Sequence, residues 1–94
     1  MTKENEVACK QIADHYGYTC QSIKCIEELS ELIKAICKYD QSEAAVDRFH
    51  IIEELADVEI MTCQLIYLLG CEDQVQEAAE IKLVRQLRRM ANDE

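Results

Sequence analysis

Between Thr19 and Tyr39, the apolar residues Ile23, Ile26, Leu29, Ile33 and Ile36 recur at steps of three and four, which places them on one face of an α-helix. Gln21, Lys24, Glu28, Glu31 and Ala35 take another face at the same period, so the helix is amphipathic with a polar stripe. From Phe49 to Leu69 the pattern changes. Ile51, Ile52, Leu55, Val58, Ile60 and Met61, followed by Leu65, Ile66 and Leu68, lie on nearly every side of the axis. A helix that is apolar all round is expected to be buried.

Two shorter periodic stretches flank these. Val7, Ile12 and Ala13 mark a sparse helix over about Glu4 to Tyr16, stopped by Gly17. After Gly70, Val75, Ala78, Ala79, Leu83 and Leu87 predict a last helix from Glu72 to Met90 with these residues turned inward. Its first turn is acidic and its last is basic, as the helix dipole prefers. Asp40 to Arg48 reads as a polar connection with at most a turn of helix. No linker divides residues 1–94, which read as a single all-α domain of four helices.

Composition narrows this further. With Gly at two positions and no Pro in 94 residues, the chain lacks the residues that strand turns require, which excludes an all-β fold. Hydrophobic residues make up 49 %, enough for a core despite 19 acids against 10 bases and a net charge of −9. A chain this short buries a modest share of its surface, which points to assembly with a second copy. The acidic balance argues against nucleic acid or an anionic membrane as partner. No apolar run approaches a membrane span and the N-terminus has no signal-peptide pattern. The six cysteines (Cys9, Cys20, Cys25, Cys37, Cys63, Cys71) contain no C-x-x-C pair, so reduced thiols in a cytoplasmic protein are expected.

The acids are placed more selectively than the net charge suggests. Glu28 and Glu31 on the second helix, and Glu54 and Asp57 on the third, are each an i, i+3 pair on one helix face. Glu54 and Asp57 extend the stripe of Met61, Leu65 and Leu68. Burying ionised carboxylates there without a partner is costly, and a bound cation removes the conflict. If the two helices are antiparallel neighbours, the two pairs face each other. Such an oxygen-only site suits Mg²⁺, or Mn²⁺ in its place, rather than Zn²⁺. The plainer reading of the second-helix pair is a solvated face, with Lys24 and Glu28 as an i, i+4 ion pair. On the last helix Lys82, Arg85 and Arg89 share a face that suits phosphate, and equally suits the helix C-terminus.

Glu27-Glu28-x-x-Glu31, followed after 22 residues by Glu54-x-x-Asp57, resembles the MazG-like all-α nucleoside triphosphate pyrophosphohydrolases. Tyr16-Gly17, Gln21 and Lys24 before the first motif and Lys82-x-x-Arg85 after the second extend the likeness over most of the chain. The resemblance implies a four-helix bundle completed by oligomerisation into a homodimer or homotetramer. It also implies Mg²⁺-dependent cleavage of a nucleoside triphosphate between its α and β phosphates, giving a nucleoside monophosphate and pyrophosphate. By position, Glu28, Glu31, Glu54 and Asp57 would bind metal, and Glu28 or Glu31 would orient the attacking water or accept its proton. Lys82, Arg85 and Arg89 would contact phosphates, and Gln21 and Lys24 are candidate substrate contacts. Gln86 stands where some relatives carry Asn, and there is no Trp to stack on a base. His15, Tyr16 and Tyr18 are left to line a base pocket or simply to pack.

Phosphoribosyl-ATP pyrophosphohydrolase is the alternative within the same fold logic. From another class stands a non-catalytic acidic helical module that binds a basic partner. A di-iron bundle would need E-x-x-H, whereas His50 precedes Glu53 in the reverse order.

Overall fold

The computed structural model describes residues 1–93 as three helices with no strand: α1 (Lys3–Ser42), α2 (Ala45–Leu69) and α3 (Glu72–Asn92). The Thr2 hydroxyl caps α1 by accepting from the Asn5 N–H at 3.1 Å. Within α1, Gly17 leaves the helical region at φ 81° and ψ 171°, a conformation open essentially to glycine alone. The break expected at Gly17 is therefore real in the backbone. It separates two helical arms, 3–16 and 18–42, that run in opposite directions along α2, as the pairs Asp14–Tyr67 and Gln21–Gln64 record, so α1 holds the first two of the four expected helices.

The polar connection is also shorter than its composition suggests. α1 runs on to Ser42 and α2 begins at Ala45, leaving Glu43 and Ala44 as the link. Glu43 makes the turn in the left-handed region at φ 52° and donates its N–H to the Tyr39 carbonyl. Gly70 closes α2 at φ 61° with a paired cap. Its N–H reaches the Tyr67 carbonyl at 3.0 Å and the Cys71 N–H reaches the Ile66 carbonyl at 3.2 Å.

Both arms of α1 pack against α2, which runs antiparallel to the second arm. The interface is small and partly polar: Cys9, Ala13, Cys25 and Met61 are buried, together with Gln21, Gln64 and Asp47. Gln21 Nε2 donates to Gln64 Oε1 at 2.8 Å, which satisfies two amides inside the interface. At the far end the Tyr67 hydroxyl donates to Asp14 at 2.8 Å, and Lys10 lies over the Tyr67 ring. All six cysteines are free thiols. No helix among the described residues is long and apolar enough to cross a membrane.

Two burial expectations fail. On α2, Ile52, Leu55 and Ile60 are exposed, whereas every residue from Met61 to Leu68 is buried or half-buried, so the helix that is apolar on all sides is covered all round only toward its C-terminal end. On α3, Val75, Leu83 and Leu87 are exposed and no residue is buried, because α3 touches α2 sparingly and α1 not at all. The chain is correspondingly extended. Its radius of gyration is 16.1 Å against about 12.4 Å for a globular chain of this length. Its surface of 7408 Å² exceeds by roughly 1,900 Å² the ~5,500 Å² of a compact monomer of this mass.

Candidate metal centre

The antiparallel pairing of the second α1 arm with α2 brings the two acidic motifs together. One carboxylate oxygen each from Glu28, Glu54 and Asp57 lies within 4.8 Å of the others. Glu28 is partly buried and is held by Lys24 at 3.3 Å, the expected i, i+4 pair, while Lys24 also reaches Glu27 at 3.6 Å. Glu54 is half-buried, and its Oε2 is shut off from water with no hydrogen-bond partner. Asp57 reaches solvent, so the expected buried stripe carries one half-buried and one exposed acid.

Electrostatics records the crowding. Burial pushes the Glu54 carboxyl above its ordinary 4.5, and the charges of Glu28, Asp57 and Glu31 push it further. Asp57 is raised above 3.8 by loss of solvation and by Glu28, with Lys24 opposing. Both groups give up their protons less readily than an isolated carboxyl does. An acid whose folded pKa is raised contributes stability that is full below its unfolded pKa and is lost as pH rises through the folded value. Removing the charge should therefore help most at higher pH. Glu54→Gln is expected to melt above the metal-free wild type by a margin that is small near pH 4.5 and widens toward pH 7. A margin that stays constant with pH contradicts this account of the cluster.

A buried carboxylate oxygen without a donor, beside two further carboxylates, is a donor set that a hard divalent cation satisfies. Three oxygens and remaining water positions suit Mg²⁺ or Mn²⁺. Glu28, Glu54 and Asp57 would hold the ion. Glu31 stands apart from the three: it acts on Glu54 through its charge, pairs with Lys34 at 3.4 Å, and lines the adjoining cavity.

The other anticipated residues are placed differently. Gln21 spends its amide on the buried bond to Gln64. Lys82, Arg85 and Arg89 are exposed on α3; they line no part of the cavity beside the acids and do not figure among the charges acting on Glu54 or Asp57. Tyr16 and Tyr18 are exposed, with His15 packed edge-on against Tyr16.

A buried acid escapes the sequence reading. Asp47, in the first turn of α2, is 5 % exposed; it accepts from the Ser42 hydroxyl and lies 3.8 Å from Lys38 and 4.0 Å from His50. The readable signal was Lys34 and Lys38 one turn apart beyond Glu31, opposite Asp47 and His50 at i, i+3. Comparison with protein-family models, with curated proteins and with solved structures finds no match to this chain.

Proposed function

We propose that the chain is a Mg²⁺-dependent nucleoside triphosphate pyrophosphohydrolase of the MazG-like kind, working as a homodimer or homotetramer in a reducing, cytoplasmic setting. The observation that carries this reading is the convergence of Glu28, Glu54 and Asp57 around a buried Glu54 oxygen that has no donor. A module that merely offers acids to a basic partner has no need to desolvate one of them.

Bound there, Mg²⁺ supplies neutralisation of phosphate charge and a lowered pKa for a water. Glu28, Glu54 and Asp57 would hold it. Glu31, outside the trio but on the same wall, orients the attacking water and accepts its proton. Lys24 restrains Glu28 by the 3.3 Å pair and keeps it pointed at its neighbours across the helix interface. Because α3 makes no packing contact with α1, Lys82, Arg85 and Arg89 reach the phosphates from a second copy, whose arrival also covers the exposed apolar faces.

The test is a screen of ordinary and modified nucleoside triphosphates with Mg²⁺ and purified protein, read by pyrophosphate release. At least one nucleotide should be cleaved, with activity lost on chelation. Cleavage confined to phosphoribosyl-ATP would transfer the assignment to that histidine-pathway hydrolase.

A further inference from the structure

Beside the acids, between the second arm of α1 and the start of α2, lies a cavity of about 300 Å³ lined by Glu31, Lys34, Lys38, Asp47, His50 and Glu54, together with Ala35. The helical period explains its polarity. On α1, Glu31, Lys34 and Lys38 share a face at i, i+3 and i+7; on α2, Asp47, His50 and Glu54 do the same. Since the helices are antiparallel, Glu31 and Glu54 fall at one end, and Lys38, His50 and Asp47 at the other. The two ends are about 10 Å apart, seven residues at a rise of 1.5 Å each.

We propose that this cavity seats the two terminal phosphates of the substrate, with Lys34, Lys38 and His50 as their contacts and Asp47 as the residue that positions Lys38 and His50. The inference rests on the pyrophosphohydrolase reading and names where the leaving pyrophosphate sits. Lysines are compact charges with three donors and match phosphate oxygens without demanding one geometry. His50 offers an N–H in either protonation state. Asp47 is buried, pinned by the Ser42 hydroxyl, and faces both Lys38 and His50, so it anchors them from below while their outer surfaces stay open.

The charges also set an order of binding. Three acids against two lysines leave the walls with an excess of negative charge, so an anion is repelled until a divalent cation is held at the acidic end. Pyrophosphate should therefore bind only after Mg²⁺.

The experiment is calorimetric titration of the full chain with inorganic pyrophosphate, with and without Mg²⁺, alongside a thermal shift with Mg²⁺ alone. Wild type should bind pyrophosphate only in the presence of Mg²⁺. Lys34→Gln with Lys38→Gln should weaken that binding by about tenfold or more while Mg²⁺ still raises the melting temperature. Lys34→Arg with Lys38→Arg should restore most of it. The same loss of charge at Lys3 and Lys10, on the other arm of α1, should leave it within about twofold. Pyrophosphate affinity indifferent to the charges at 34 and 38, or equally weakened by Lys3 and Lys10, overturns the cavity assignment alone. A wild type that shows no response to Mg²⁺ overturns both this assignment and the enzyme reading beneath it.

Discussion

Replacing Glu54 by Gln is expected to lower pyrophosphate release by about a hundredfold to a thousandfold and, in the same protein, to raise the melting temperature at pH 7 without metal. The two effects have one cause. Glu54 is raised above the usual carboxylate range by burial and by three neighbouring acids, and its Oε2 finds no donor. An amide of the same shape removes the repulsion and adds an N–H that faces Glu28. It also removes the oxygen charge that would hold Mg²⁺. In wild type, saturating Mg²⁺ should raise the melting temperature by about 5 °C or more, and in Glu54→Gln by much less. Stability gained with activity lost marks a group kept for function at the expense of folding. A variant that loses both would make Glu54 an ordinary structural residue, and one that keeps its activity would remove the site altogether.

The second large effect concerns assembly. Sedimentation or light scattering should give a mass at least twice that of the single chain. Exposed area is the reason: the chain presents roughly 1,900 Å² beyond a compact monomer of its mass, more than the ~800 Å² that each partner hides in a standard interface. The excess has a recognisable source. Ile26 and Ile33 on α1 are 65 % and 64 % exposed, and Leu55 on α2 and Leu83 and Leu87 on α3 are exposed as well. A helix such as α3, with no buried residue, draws little stability from its own chain, since tertiary packing supplies most of a helix's stability. Ile26→Asp with Ile33→Asp should dissociate the assembly and lose α3 helicity by circular dichroism. A wild-type chain that sediments as a compact monomer contradicts the argument directly.

What the sequence made legible follows from which signals are local. The i, i+3 spacing of Glu28 with Glu31 and of Glu54 with Asp57 is a property of each helix alone, and short links make antiparallel neighbours the default, so the meeting of the two motifs could be expected. Gly17 and Gly70 announced their breaks because positive φ is a local demand. The start of α2 was hidden for the complementary reason: Ala44 caps it with no side-chain bond, and the polar run around it resembles a loop. Periodicity identifies the apolar face of α3 but carries no information on what covers it, so Val75, Leu83 and Leu87 are expected inward and lie outward in the single chain. Asp47 was easily passed over, because its burial depends on Ser42, Lys38 and His50 converging from both sides of a turn, and its charge pattern alone reads as a solvated connection. Gln21 reads as a substrate contact, whereas its buried bond to Gln64 joins residues 43 positions apart that no local pattern links.

Everything proposed for the acids gathered on α1 and α2 depends on their serving Mg²⁺-dependent cleavage between the α and β phosphates. Phosphorus NMR of the reaction with the best nucleotide of the screen decides that point. One pyrophosphate and one nucleoside monophosphate should appear per substrate consumed, only with Mg²⁺ or Mn²⁺ present. Nucleoside diphosphate with inorganic phosphate, or no turnover of any triphosphate, would contradict it.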